Sequence, residues 1–352
     1  MQTFRDLDKH LGLVPARSAA ALAEASAGRG REEAFRRQNP QVLEGLMEVA
    51  LIQSSASSNA IEQITAAPGR VTELVQDKTA PKDRSEEEIA GYRKVLETVH
   101  TSAEHIPLTT SVVLQLHRDI YAFSPVPGGR FKSTQNEVAR FDPDGRKLAV
   151  IFEGTSPFET PPAMDELHER YAEAAKQGTH APLLLVGSYV FDFLMIHPFN
   201  DGNGRMSRLL TLLLLYQCGH EVGRFISLEK LVEESRDTYY ESLEKSTADW
   251  EQGNHDIWPW LNYFLGIVIA AYGEFEARAG DLMSGRGSKT LRIKQFVRSR
   301  TSEFFTFDDL QQALPDISSD HIRGVLRKLR DEGIVESPGR GRKQWRRLTS
   351  AF

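Results

Sequence analysis

The sequence contains one cysteine, Cys218, in 352 residues. A lone thiol excludes a disulfide framework within the chain and fits a reducing compartment. Cys218 follows a run of leucines, so it is expected as a buried structural thiol rather than a nucleophile. Long apolar runs are missing as well: nothing approaches the roughly 20 residues that a membrane-spanning helix needs. The first residues, Met1-Gln2-Thr3-Phe4-Arg5-Asp6, lack the apolar core of a signal peptide. These absences predict a cytoplasmic protein that does not engage a membrane. There is no surplus of positive charge: 43 Lys and Arg stand against 49 Asp and Glu, a formal net charge of -6. The chain as a whole therefore lacks the electrostatics of a nucleic-acid binder.

What is present is a globular composition, with 40% hydrophobic and 26% charged residues. The length allows two or three domains with a sizeable core. Residues 1–105 read as helical. Val42–Ile52 repeats apolar residues at helical spacing, and Ser85-Glu86-Glu87-Glu88 opens a helix with a cap-and-acid pattern. Ala66–Arg84, with Pro68, Gly69 and Pro81, reads as including a loop. In residues 106–280, Pro107-Leu108-Thr109 leads into a helix through His117. From Pro125 to Pro162 proline and glycine recur, which argues against helix. Leu148–Phe152, preceded by the turn Asp142-Pro143-Asp144-Gly145, is the returning strand of a small hairpin. Helices resume at Met164. Leu183–Ile196 is apolar on most faces and predicts a central buried helix, and Arg205–Cys218 follows as a second, with Gly219 at its end.

Between these two helices lies His197-Pro198-Phe199-Asn200-Asp201-Gly202-Asn203-Gly204-Arg205-Met206-Ser207-Arg208. Pro198 disfavours helical geometry at His197, which places the imidazole at a helix exit. An imidazole titrates near pH 6.5 and accepts protons at neutral pH. Asp201 is a hard oxygen ligand suited to Mg²⁺. Gly202 and Gly204 permit positive φ and close backbone approach where the next helix begins. Free N–H groups and the helix dipole converge there to make an anion site. Arg205 and Arg208 add guanidiniums suited to phosphate. Phe199 is expected as a core anchor. Together these groups suit a site that binds polyphosphate and accepts a proton.

The segment resembles the signature of the Fic family (filamentation induced by cAMP), His-Pro-Phe-x-Asp/Glu-Gly-Asn-Gly-Arg-x-x-Arg, without departure. That resemblance implies a mainly α protein: a Fic-type helical core with a small β-hairpin flap. It implies transfer of AMP from ATP to a Ser, Thr or Tyr hydroxyl of a target protein. His197 would be the general base and Asp201 the Mg²⁺ ligand. Gly202, Asn203, Gly204, Arg205, Met206, Ser207 and Arg208 would bind the nucleotide, with Arg208 on the γ-phosphate. Upstream, Ser57-Ser58-Asn59-Ala60-Ile61-Glu62-Gln63 resembles the family's inhibitory helix. This implies that Ser58 and Glu62 inhibit the site, Glu62 by pairing with Arg208. Gln63 replaces the family's Gly or Asn, so this helix is expected to run on past the usual left-handed end. Gly129-Arg130-Phe131-Lys132 and Val150–Pro162 resemble the flap, with Thr155 and Ser156 as its contacts. Tyr240, in the pair Tyr239-Tyr240, falls near the expected adenine. Self-modification and a homodimer accord with the resemblance. Two alternatives remain open: removal of AMP using Glu62, and a nucleotide-sensing DNA-binding regulator.

Residues 281–288 read as a linker, and 289–350 as a C-terminal winged-helix domain of three helices and a hairpin turning at Pro338-Gly339-Arg340-Gly341. Residues 289–352 hold 14 Lys and Arg against 8 Asp and Glu. Arg323, Arg327, Lys328, Arg330, Arg340, Arg342, Lys343, Arg346 and Arg347 are candidates to face DNA phosphates.

Overall fold

The computed structural model describes residues 1–38, 40–141, 147–283, 286–299, 304–331, 333–336 and 344–347. They are mainly α, as expected. The chain divides into two compact units: Met1–Ala66 with Thr79–Phe275, and Ala67–Lys78 with Glu276–Phe352. The boundary expected at 105/106 falls inside the first unit. No helix among the described residues is long and apolar enough to cross a membrane.

The first unit begins with α1 (Gln2–Arg5), α2 (Leu7–Leu11), α3 (Ala16–Gln38) and α4 (Pro40–Ile61). After α5 (Pro68–Val75), which groups with the second unit, come α6 (Arg84–Ser102) and α7 (Thr110–Ile120). A two-stranded hairpin of β1 (Glu137–Phe141) and β2 (Lys147–Glu153) follows. Then come α8 (Thr160–Gln177), α9 (Pro182–Ile196), α10 (Asn203–Gln217), α11 (Leu228–Glu234), α12 (Arg236–Thr247) and α13 (Trp258–Met283), which groups with the second unit from Glu276 on. Every residue of α9 from Leu183 to Ile196 is buried, and α1, α8 and α10 pack on it. Its one carboxylate, Asp192, is fully buried and hydrogen-bonded. It accepts from the Thr3 hydroxyl (2.9 Å), the Phe4 N–H (3.2 Å) and Trp250 Nε1 (2.9 Å), as a buried charge requires.

Two contacts fix the helices around the α9–α10 pair. Buried Glu229 of α11 accepts from Ser54 of α4 (2.7 Å) and Tyr92 of α6 (3.0 Å). α6 crosses α7 so closely that a Cβ on Gly91 would lie 1.8 Å from the Ile120 carbonyl oxygen. The hairpin is antiparallel, with Val138 opposite Phe152 and Glu137 opposite Glu153, and its register shifts between Val138 and Ala139.

Several expectations need correction. α6 starts at Arg84 with Asp83 as its cap, whose side chain accepts from the Glu86 N–H; Ser85 lies inside the helix. The expected loop between Ala66 and Arg84 contains α5, with Pro68 in its first turn. α8 begins at Thr160, because Pro161 and Pro162 sit in its first turn, where no intrahelical N–H is needed. α10 begins at Asn203 rather than Arg205. Cys218 is half-buried, not buried; its thiol is nonetheless pushed up to about 11 by desolvation, which keeps it protonated. The turn at 142–145 lies outside the described residues apart from its flanks.

The second unit contains α14 (Arg286–Ser299), β3 (Phe304–Thr306), α15 (Phe307–Ala313), α16 (Ser319–Asp331), β4 (Val335–Glu336) and β5 (Gln344–Arg347). The three strands form one antiparallel sheet in the order β3-β5-β4, and β3 was not anticipated. Ile293, Val297, Phe305, Leu310, Ile322, Leu326 and Leu329 form its core. The expected linker at 281–288 narrows, since α13 runs through Met283 and α14 starts at Arg286. The turn at 338–341, with Arg340, Arg342 and Lys343, lies outside the described residues.

Gly91→Ala should destabilise the first unit by about 1–3 kcal/mol, the cost of overpacking at a tight crossing. Its thermal midpoint should fall in calorimetry; an unchanged midpoint would show that the crossing can open without cost.

Candidate active site

α9 ends and α10 begins within six residues. His197 closes α9 in the left-handed region (φ 50°, ψ 62°), with its N–H on the Phe193 carbonyl. Its Nδ1 lies 3.2 Å from the Leu194 carbonyl oxygen. A carbonyl only accepts, so Nδ1 carries the hydrogen and Nε2 is left as a bare acceptor. Burial lowers the His197 pKa to about 4, opposed by the Leu194 carbonyl and assisted by the Lys132 ammonium. The imidazole is therefore neutral at pH 7 and free to take a proton.

The loop after His197 is anchored, not loose. Phe199 is fully buried and stacks on His117 at 3.7 Å and 2°, as its reading as an anchor requires. His117 Nδ1 accepts from the Gly129 N–H (2.9 Å), so its Nε2 donates to the Asp201 carbonyl (3.0 Å). Burial lowers the His117 pKa to about 4 and keeps that arrangement. The Asn203 side chain bonds both the N–H and the carbonyl of Phe199. Gly202 has φ +83°; Gly204 does not share this conformation and lies in the first turn of α10. Intrahelical bonding in α10 begins with Met206 N–H to Gly202 carbonyl. The amides of Asn203, Gly204 and Arg205 thus form the positive end of the helix.

The two arginines differ. Arg208 lies in a cleft of about 620 Å³. Its Nε bonds Ser58 Oγ (2.8 Å), and its Nη2 bonds the Ser58 carbonyl (2.7 Å) and Glu62 Oε1 (2.9 Å). The Glu62 carboxylate also reaches the start of α10: a Cβ on Gly204 would lie 2.1 Å from its Oε1. Arg205, expected to bind phosphate, is fully buried. It pairs with Glu88 (2.6 Å) and the Tyr121 hydroxyl (2.8 Å). Only its backbone belongs to the anion cradle. Met206 and Ser207, also expected to contact nucleotide, are buried; the Ser207 hydroxyl bonds the Gly204 carbonyl.

The cleft is lined by Glu62, His197, Asp201, Gly202, Asn203, Gly204 and Arg208, together with Val138, Phe152, Tyr239, Tyr240 and Leu243. Tyr240, read from the resemblance as a residue near the adenine, lines the cleft and lies edge-on to Tyr239 at 5.2 Å. Thr155 and Ser156 do not line the cleft. The Thr155 N–H bonds the Ile196 carbonyl, and Ser156 accepts from the Glu159 N–H and the Thr160 hydroxyl in the turn before α8. The hairpin contributes Val138 and Phe152 instead, and the Phe152 ring lies edge-on to His197 at 6.0 Å. Phe152 lies in the expected strand and Tyr239 in the expected tyrosine pair, while nothing in the sequence marked Val138.

Asp201 Oδ1 accepts from the Gly202 N–H, while its carboxylate is more than half exposed and 3.6 Å from Arg205. Among the described residues no group of three or more His, Cys, Asp or Glu is placed to hold a metal. A single exposed carboxylate fits Mg²⁺, which commonly takes one or two carboxylates and completes its shell with phosphate and water.

α4 ends where the sequence argued that it would continue. Gln63 takes φ +62°. Its N–H bonds the Ala60 carbonyl (2.9 Å), and the Ile64 N–H bonds the Asn59 carbonyl (3.0 Å). That pair of bonds is a Schellman cap with Glu62 as the C-cap residue and Gln63 in the place glycine prefers. The cap aims Glu62 at Arg208.

Residues 107–215 match the Fic/DOC family. The chain is similar to protein adenylyltransferase Fic from Drosophila yakuba, 25% identical over 273 residues, covering 73% of this chain and 50% of the relative. The same protein from Drosophila melanogaster is 25% identical over 273 residues, 51% of its length. The chain thus spans about half the length of these curated relatives. The fold matches a Fic family protein from Desulfovibrio desulfuricans G20 with TM-score 0.63 and 20% identity, over 96% of this chain and 97% of that one. It also matches Fic-1 from C. elegans with TM-score 0.57 and 21% identity, over 74% and 72%. Residues 107–215 thus carry a Fic/DOC domain, on a fold shared with these Fic structures.

Gln63→Gly should raise stability by about 1 kcal/mol, because glycine adopts the left-handed position without the Cβ penalty. A higher urea midpoint is expected; a lower one would show that Gln63 contributes more through its side chain than its backbone costs.

Proposed function

We propose that this chain is an ATP-dependent protein adenylyltransferase that moves AMP to a Ser, Thr or Tyr hydroxyl and is held back by its own Glu62. The observation that carries this reading is the Glu62–Arg208 bond inside the same cleft that ends on the bare Nε2 of His197. The acceptor hydroxyl loses its proton to Nε2 as its oxygen attacks the α-phosphorus. The bond from that phosphorus to the β-phosphate bridging oxygen breaks, and pyrophosphate leaves. The amides of Asn203, Gly204 and Arg205 and the dipole of α10 stabilise charge on the phosphates. Tyr239 and Tyr240 line the cleft with aromatic faces that suit a base ring. Mg²⁺ on Asp201 supplies charge neutralisation when bound. Arg208 takes the γ-phosphate only after Glu62 releases it.

The test is incubation of wild type, Glu62→Gly and Glu62→Gly/His197→Ala with α-labelled ATP and cell lysate. Label on the chain itself or on a lysate protein should rise at least tenfold in Glu62→Gly, about 1.4 kcal/mol of relieved inhibition. It should vanish in the double variant. No transfer by Glu62→Gly would overturn the reading. Removal of pre-attached AMP by wild type, but not by Glu62→Gly, would instead favour hydrolysis with water aligned by Glu62.

The second unit supports a separate reading as a winged helix on DNA. On α16, Ile322, Val325, Leu326 and Leu329 are buried, while Arg323, Arg327 and Lys328 are exposed on the other side. Affinity for duplex DNA should fall with salt. Replacing Arg323 and Arg327 with Ala should flatten that slope by about one unit for each lost phosphate contact. Binding indifferent to salt would exclude it.

A further inference from the structure

The segment Ile196–Phe199 carries four backbone carbonyls at the end of α9, and every one is taken by a donor. The Ile196 carbonyl accepts from Lys132 Nζ (3.0 Å) and the Thr155 N–H (3.2 Å). The His197 carbonyl accepts from Asn136 Nδ2 (3.2 Å), and the Pro198 carbonyl from the Lys132 N–H (2.9 Å). The Phe199 carbonyl accepts from Asn136 Nδ2 (2.7 Å) and Asn203 Nδ2 (2.7 Å). Apart from Asn203, these donors flank the hairpin: Lys132 and Asn136 just before β1, Thr155 just after β2.

Lys132 is a buried ammonium. Its Nζ bonds the Asn136 amide oxygen (2.8 Å) as well as the Ile196 carbonyl. The first bond orients the Asn136 amide, since its oxygen faces the cation and its NH₂ must face the carbonyls. The second places a positive charge on the negative end of α9. Burial alone pushes the Lys132 pKa down to about 8. Gly154 closes the assembly: a Cβ there would lie 2.7 Å from Asn136 Oδ1, 2.8 Å from Lys132 Nζ and 2.9 Å from His197 Cβ. His197 is meanwhile held in a left-handed conformation that a non-glycine residue resists.

We infer that Lys132 and Asn136 are positioning residues for His197: together they clamp the end of α9 to the base of the hairpin and set where Nε2 meets an acceptor hydroxyl. This rests on the adenylyl-transfer reading above. It assigns the pair no contact with nucleotide: neither side chain lines the cleft, and the clamp meets the cradle only at the Phe199 carbonyl, which Asn136 and Asn203 share among the described residues.

The experiment uses full-length Lys132→Met and Asn136→Asp in a Glu62→Gly parent, with three readouts: transfer kinetics, ATP affinity by calorimetry and the His197 pKa by NMR. Both variants should lower kcat by 10- to 100-fold and leave ATP affinity within twofold. In Lys132→Met the His197 pKa should also rise. The charged groups facing the ring are Lys132, which disfavours the imidazolium, and Glu62, which favours it; the glycine parent already lacks Glu62, so removing Lys132 leaves only the upward pull of the Leu194 carbonyl against burial. An unchanged kcat in both variants, an unmoved His197 pKa, or a matching loss of ATP affinity would overturn the inference. Should Lys132→Met not fold, Asn136→Asp gives the same kcat-against-affinity comparison in a side chain of equal size. If the Glu62→Gly parent transfers nothing, the adenylyl-transfer reading fails, while the His197 pKa and the ATP affinity still decide whether the clamp holds the imidazole.

Discussion

Two buried helix ends lie six residues apart, and a buried helix end must have partners for its free backbone groups. The end of α9 is satisfied from within, by Lys132, Asn136 and Thr155 at the base of the hairpin. The start of α10 is treated differently: its first amides open into a cleft, and the anion closest to Gly204 is the Glu62 carboxylate. One helix end is thus a rigid mount for an imidazole, and the other is a cradle whose occupant is a side chain of the same molecule. An exchangeable anion at this point is what a nucleotide would have to displace.

The arginines divide the same labour between fold and function. Arg205 points into the core, where Glu88, Tyr121 and the edge of Asp201 neutralise it. Removing a partner there would strand a buried charge, so this triad holds α6, α7 and α10 together. Among the described residues Arg208 hydrogen-bonds Ser58 of α4 and Glu62 just past its end. One turn earlier on the same face, α4 is also held by the Ser54 bond to Glu229. The Glu62–Arg208 contact is therefore local to one helix terminus, and a change at the Gln63 cap would reach Arg208 directly.

What the sequence disclosed follows the spacing of the contributing residues. His197, Asp201, Gly202, Asn203, Gly204 and Arg208 are contiguous, and the apolar helices around them are recognisable from composition, so their meeting at one cleft was legible. Ser58 and Glu62 were legible through their helical spacing and resemblance. The fate of Arg205 was not, because its partners Glu88 and Tyr121 come from distant helices and look like ordinary surface and core residues in the chain. Thr155 and Ser156 were misplaced for the same reason: the hairpin's inward face is set by the register of β1 on β2, which puts Val138 and Phe152 on the cleft. Gln63 shows tertiary context overriding local preference. The glutamine accepts a left-handed backbone because two capping bonds end α4 there, so the helix stops despite lacking glycine.

If Glu62 and the terminal phosphate compete for Arg208, their competition must depend on how many phosphates the ligand has. Calorimetric titration of wild type and Glu62→Gly with ATP and with AMP isolates that dependence. Competition predicts that Glu62→Gly binds ATP at least tenfold more tightly than wild type while AMP affinity stays the same. An equal gain for both nucleotides, or no gain for ATP, would contradict it.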